Sequence, residues 1–220
     1  MAPELGGDVR LAQRGSSVTG LVTAGANLDL TLLFEELGQP ELAVVPLEAQ
    51  KDIVARLAEH LSRARSRLPW ISDVDQRVRD GLPVVRLHAV LQPTSFQLPQ
   101  AFEIDIDVCN RLGVWSSVLL REYIAIDGRA RELCFFVRAW ARQHVPCQHA
   151  PGQQQHATAA AHSGSHHHLT PYAWALLCIH YLQTCEPPVL PVLQQATLVL
   201  AAAPRHVCRA DGCSFDCTFA

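Results

Sequence analysis

The stretch RGSSVTGLVTAGANLDL, Arg14 to Leu30, decides the fold of this chain. It reads as a strand end, a tight Gly-Ser turn, a short helix start, a loop and a second strand. Gly15 permits a sharp turn and a close approach of backbone to a ligand. Ser16 and Ser17 add hydroxyl donors, and free amides are expected where the helix begins, a seat for a phosphate. Asn27 and Asp29 are two residues apart on a strand and so share a face. Oxygen atoms placed there hold a hard cation beside the phosphates.

Gly-Ser, a short helix and then a strand bearing D-x-D resembles the signature of the DNA-polymerase-β-like nucleotidyltransferases. The wording is closest to the terminal uridylyltransferases and non-canonical poly(A) polymerases, whose version runs roughly GSSxxGLxTxGSDLDL. Gly15, Ser16, Ser17, Gly20, Leu21, Thr23, Gly25, Leu28, Asp29 and Leu30 match it. Ala26 and Asn27 stand where that family has Ser and its first metal-binding Asp. The resemblance implies an α+β fold: a nucleotidyltransferase (polymerase β-like) palm with a mixed five-stranded sheet, then part of an all-helical central domain.

Patterning outward from this stretch agrees with such a fold. Strands are expected over Asp8 to Arg14, Leu28 to Phe34, Trp70 to Val78, Pro83 to Leu91 and Ala101 to Cys109. Leu47 to Arg65 repeats Ile53, Val54, Leu57, Ala58 and Leu61 at helical spacing. Beyond Asn110 the chain turns helical, with helices over Trp115 to Ile126, over Ala130 to Val145, and from Thr170-Pro171 to the stop at Pro187-Pro188. The expected organisation is a palm over 1–110, helices over 111–200 interrupted by a low-complexity insert at 146–168, and a Cys-containing tail at 201–220.

Three further stretches carry the resemblance. In FEIDIDVCNRLGV, Phe102 to Val114, Asp105-Ile106 matches the family's third Asp and its neighbour, and Asn110 a following Asn. Asp105 is thus the expected third carboxylate, with Asp107 on the same strand face as a nearby substitute. Taken alone, the same acids fit a solvated edge strand equally well. In RARELCFFVRAWARQ, Arg138 and Arg142 fall where the family carries two basic residues, usually Lys, directed to the triphosphate. Four residues apart, they share one helix face, which alone reads as a solvated face. In LTPYAWALLCIHYLQTCEPPVLPVLQQ, Tyr172 takes the place of a Tyr that stacks on the base; a half-buried helix Tyr fits the spacing as well. Gly113 and Ser116 fall at the family's ribose and base contacts.

Composition bounds the rest. The 220 residues suffice for one domain or two small ones. A net charge of −3 argues against a chain-wide electrostatic grip on nucleic acid. With 17 Arg against the single Lys51, phosphate recognition is local and Arg-based. Eight Cys without a secretory signal read as reduced thiols. No apolar run reaches the roughly 18 residues of a membrane span, and Met1 to Arg10 has neither a signal-peptide core nor a transit-peptide pattern, so a soluble protein without membrane contact is expected, cytoplasmic, with mitochondrion and nucleus as alternatives. Two Cys/His groupings, Cys147, His149, His162 and His166 to His168, and His206, Cys208, Cys213 and Cys217, fit no structural zinc spacing.

The implied activity is template-independent addition of nucleotides to an RNA 3′ end from a nucleoside triphosphate, UTP or ATP, with Mg²⁺ or Mn²⁺. Asp29 and Asp105, helped imperfectly by Asn27, are the expected catalytic and metal residues. Gly15, Ser16, Ser17, Gly113, Ser116, Arg138, Arg142 and Tyr172 are the expected nucleotide-binding set. Asn27 brings no negative charge, which leaves a second reading: a catalytically impaired module that binds nucleotide, RNA or a partner.

Overall fold

A computed structural model describes residues 8–23, 25–35, 45–79, 81–91, 100–144, 169–196, 207–210 and 213–216. The chain divides into two compact units, Met1–Glu122 with Leu193–Ala220, and Tyr123–Val192.

The first unit is built on a mixed five-stranded sheet. Its strands are β1 (Asp8–Arg14), β2 (Leu28–Glu35), β3 (Ile71–Arg79), β4 (Leu82–Leu91) and β5 (Gln100–Val108), in the order β1-β2-β5-β4-β3. β2 and β5 run parallel and the other pairs antiparallel. A short helix α1 (Ser16–Thr19) follows β1, and α2 (Leu47–Ala64) leads towards β3.

Alternation along the strands divides the sheet into two unlike faces. Leu30, Phe34, Val85, Leu87, Ala89, Ile104, Ile106 and Val108 lie on one face and pack with Val54 and Ala58 of α2. The other face receives Asp29, Thr31, Arg86, His88, Glu103, Asp105 and Asp107. One face is therefore a hydrophobic core and the other a polar surface, several of whose members are buried.

β1 has the bounds expected from sequence, and the other strand ends and helix starts differ from expectation by at most four residues, for identifiable reasons. β5 stops at Val108 because Cys109 takes φ 53, a left-handed turn that re-aims the chain. The helix expected from Trp115 begins a turn earlier, as α3 (Arg111–Ile126), because Asn110 caps it: its Oδ1 accepts from the Gly113 amide at 2.9 Å.

In the second unit, Asp127 plays the same part for α4 (Gly128–His144), accepting from the Arg129 amide at 2.9 Å. Thr170 caps α5 (Pro171–Thr184) through the Ala173 amide at 3.2 Å, with Pro171 in the first turn. α4 and α5 bury Ala130, Cys134, Ala141, Ala175, Cys178, Ile179 and Leu182. Trp140 meets Trp174 edge-on, their centroids 6.1 Å apart.

The span expected to be helical ends with α6 (Leu193–Ala196), and the Cys-containing tail holds a hairpin of β6 (Val207–Ala210) with β7 (Cys213–Asp216). Asp211-Gly212 between those strands is a short-range hairpin signal in the sequence. The insert with Cys147, His149, His162 and His166 to His168 lies outside the described residues, as do His206 and Cys217.

Candidate active site

The turn after β1 is shaped by Gly15, which adopts φ 72 and ψ −150, a region in effect restricted to glycine. A Cβ there would lie 2.4 Å from Asp29 Oδ2, so glycine also lets the turn touch the carboxylate. The Gly15 amide donates to Ser117 Oγ at 2.8 Å, and Ser117 Oγ donates to the Gly113 carbonyl at 2.6 Å. The turn is thus tied to α3 near Gly113, one of the residues singled out from sequence. Ser17 Oγ donates back to the Arg14 carbonyl at 3.1 Å, and Ser116 Oγ to the Leu112 carbonyl at 2.7 Å. Both hydroxyl protons are spent locally, which leaves their oxygens as acceptors.

The register of β2 on β5 sets Asp29 directly beside Asp105. Asp105 is fully buried and Asp29 nearly so. Two arginines meet them. Arg86, opposite Asp105 across β4, donates Nε to Oδ1 at 2.7 Å and Nη2 to Oδ2 at 2.8 Å, a bidentate pair. Arg79, at the end of β3, donates one nitrogen, Nη1, to Asp29 Oδ1 at 2.7 Å and to Asp105 Oδ2 at 2.8 Å. Asn27 Nδ2 adds a third donor to Asp105 Oδ2 at 3.2 Å. A carboxylate accepts only, so the amide turns its nitrogen, not its oxygen, towards Asp105.

These contacts fix the charge state. Burial pushes the Asp105 carboxyl up, but the hydrogen bonds and charge of Arg86, with Asn27 and Arg79, outweigh it and hold the group below its ordinary value. Burial works against the Arg79 guanidinium, yet the two carboxylates raise its pKa above the ordinary value.

Asp107, two residues on, is committed elsewhere. Its Oδ2 receives Arg14 at 2.6 Å and Asn110 Nδ2 at 2.8 Å. It therefore braces Arg14, next to Gly15, and the cap of α3. Expected as a nearby substitute on the face of Asp105, it has Thr31 as its register partner, two residues along the strand from the Asp29–Asp105 pair.

On the same face, Asp73, Asp75 and His88 bring three ligand atoms within 4.8 Å of one another, a spacing compatible with a metal ion. Asp75 Oδ2 is 3.1 Å from His88 Nε2 and 3.0 Å from Arg77. Hydrogen bonds from Arg77 and then His88 lower the Asp75 carboxyl from its ordinary value. Sequence gave no hint of this group, because only the β3–β4 pairing joins it.

Arg138, Arg142 and Tyr172 belong to the second unit. Arg138 and Arg142 lie one turn apart on α4. Burial, and then the like charge of Arg142, lower the Arg138 guanidinium from its ordinary value. Tyr172 lies in the first turn of α5, 39% exposed.

Whether the acid pair suits a cation is answered by Arg79. One oxygen from each carboxylate converges on a single cationic nitrogen, and Gly15 leaves the other oxygen of Asp29 room. The donor set fits one divalent ion. A second ion would lack the anion that Asn27 does not supply.

Comparison with known proteins agrees with this geometry. The family described as "Poly(A) RNA polymerase, mitochondrial-like, central palm domain" matches residues 2–125. The chain belongs to that family. Among relatives of this mitochondrial-like poly(A) polymerase palm, the human "Poly(A) RNA polymerase, mitochondrial" is 28% identical over 216 residues, 91% of this chain and 33% of the relative. The zebrafish "Poly(A) RNA polymerase GLD2" is 27% identical over 183 residues, 82% of this chain and 30% of the relative. The chain thus spans about a third of the length of the curated relatives it matches. Among solved structures, mtPAP in complex with UTP aligns at a TM-score of 0.66 with 25% identity, covering 97% of this chain and 41% of that one. The terminal uridylyl transferase Cid1, at a TM-score of 0.59 and 21% identity, covering 97% of this chain and 50% of that one, shares the fold. The five-stranded sheet is the palm of the polymerase β-like superfamily.

Proposed function

We propose that the chain is the catalytic portion of a template-independent RNA 3′-end nucleotidyltransferase that moves a nucleoside monophosphate from UTP or ATP to a terminal 3′-hydroxyl. The observation that carries this reading is the Asp29–Asp105 pair, set side by side by the β2–β5 register and touched by the Gly15 turn. Asp29 and Asp105 would hold Mg²⁺ or Mn²⁺. When bound, such an ion supplies Lewis-acid charge at the α-phosphate and eases loss of the hydroxyl proton. Gly15 keeps the backbone low beside Asp29, and Ser16 and Ser17 present amides and hydroxyl oxygens to the phosphates. Gly113 and Ser116 border the sugar and base. Arg138 and Arg142 pair with the triphosphate, and Tyr172 stacks on the base.

Base choice stays open between UTP and ATP. Structures of mtPAP carry UTP, GTP and CTP alike. A cytoplasmic location is part of the same reading, although one relative is named mitochondrial. Among the described residues no helix is long and apolar enough to cross a membrane.

Asn27 favours a second reading, a nucleotide-, RNA- or partner-binding module of the same descent. Extension of an end-labelled oligo-RNA with each nucleoside triphosphate, in Mg²⁺ and in Mn²⁺, separates the two. Extension by wild type that Asp105→Ala abolishes is the expected result. A silent wild type with an active Asn27→Asp variant makes the chain a binding module one substitution from activity. Silence in both refutes the transferase reading for this chain.

A further inference from the structure

Two negative charges, Asp29 and Asp105, are met by two positive ones, and the two arginines are held differently. Arg86 grips Asp105 through two parallel hydrogen bonds, and its side chain is only 16% exposed. Arg79 ends its strand, is 42% exposed, and spends one nitrogen on both acids. That nitrogen occupies the point on which one oxygen of each carboxylate converges, at 2.7 and 2.8 Å. A divalent ion shared by the same oxygens would need them at about 2.1 Å. Ion and guanidinium then exclude one another by volume and repel one another by charge.

We propose that Arg79 is a displaceable counter-cation of the acid pair: a divalent ion enters only as Arg79 leaves, one for one, while Arg86 stays. This rests on the reading of Asp29 and Asp105 as ion ligands. The difference in exposure gives the order of departure. Arg79 regains water along a side chain already half in it, whereas release of Arg86 would strip a fully buried carboxylate of its bidentate partner.

The test is Mn²⁺ binding to the 220-residue chain without nucleotide or RNA, every chain compared carrying Asp75→Asn to remove the Asp73, Asp75 and His88 group as a second ion site, read from the paramagnetic signal of the free ion. Arg79→Gln removes the charge and is expected to tighten Mn²⁺ about tenfold or more, the worth of one charge-assisted hydrogen bond. Arg79→Lys keeps the charge and is expected to stay within about threefold of wild type. Asp29→Asn is expected to abolish binding. An Arg79→Gln chain that binds no tighter than wild type, while Asp29→Asn still abolishes binding, overturns the displacement alone. Binding that survives Asp29→Asn overturns the ligand reading beneath it, and no binding by any folded variant overturns both. Wild type supplies a second readout that needs no substitution. During a Mg²⁺ titration the Arg79 Nη1–H resonance is expected to lose its protection from exchange while the Arg86 Nε–H resonance keeps it. Two unchanged resonances at saturation overturn the proposal.

Discussion

Substitution of Arg86 by Met separates the charge of this arginine from its bulk. Asp105 is fully buried and receives Arg86 at 2.7 and 2.8 Å. Removing one partner of a buried ion pair costs about 3–5 kcal/mol. Arg79 and Asn27 still donate to Asp105 Oδ2, which sets the expected loss near the lower end, about 3 kcal/mol. The loss depends on pH. In wild type the Asp105 carboxyl lies below its ordinary value, so it stabilises the fold above the unfolded pKa of about 3.9 and loses that contribution as pH falls through the lower folded value. In Arg86→Met burial prevails and the carboxyl rises above that unfolded value. Its deficit against wild type is then full at neutral pH and shrinks as acid protonates Asp105. Urea unfolding is expected to give a deficit of about 3 kcal/mol near pH 8 and a clearly smaller one near pH 4. Adding Asp105→Leu to the variant is expected to recover most of the loss. A deficit of the same size at both pH values would assign the effect to packing and refute the electrostatic account.

Gly15→Ala and Gly20→Ala form a matched pair, since both glycines have positive φ but only Gly15 has an atom in the way. The backbone penalty is about 1–2 kcal/mol at Gly20, which is left-handed, and about 3 kcal/mol at Gly15, and Gly15→Ala is expected to lose at least about 1 kcal/mol more by pushing Asp29 off Arg79. Equal losses in thermal denaturation would remove the close approach from the argument. Asn110→Ala deletes both the cap of α3 and a donor to buried Asp107, with an expected loss of about 2–3 kcal/mol. Asn110→Ser keeps a capping oxygen and is expected to regain about 1 kcal/mol; no regain in the same unfolding assay would detach the helix start from its cap.

The acid pair was legible in the sequence because each acid sits inside an ordered motif: Asp29 follows the Gly-Ser turn and Asp105 precedes the Asn that begins a helix. The sheet was legible because α2 and β2, β4 and β5 show their apolar faces at helical and alternating spacing. Arg79 and Arg86 were not legible. In ISDVDQRVRD and LPVVRLHAVL an arginine among alternating residues looks like the solvated side of a strand. What turns both inwards is the pairing of β3 on β4 and of β4 on β5, a long-range register that no local pattern encodes. The same holds for Asp107, read as a spare ligand because it follows Asp105 at strand spacing. Arg14, which claims it, is far away in sequence and meets it only once β1, β2 and β5 lie side by side.

Asn27 and Arg79 bear on one quantity. With Asn27 neutral, Asp29, Asp105 and Glu103 against Arg79 and Arg86 sum to −1, so a divalent ion finds little net attraction unless a cation leaves. An Asp at 27 would make the sum −2 and let an ion share the site on better terms. Removing the Arg79 charge makes the same sum by the opposite route. The two changes therefore push metal affinity in the same direction, although one adds a ligand and the other takes none away. They differ in what they leave behind. Asn27→Asp puts a third anion beside buried Asp105 and so raises the need for the ion, whereas Arg79→Gln leaves Asp29 with one oxygen unclaimed and the Arg86 pair intact. A neutral Asn27 and an arginine on the point where the two carboxylates converge are, on this count of charge, two sides of one local balance: a pair of acids without a third anion closes on its own cation.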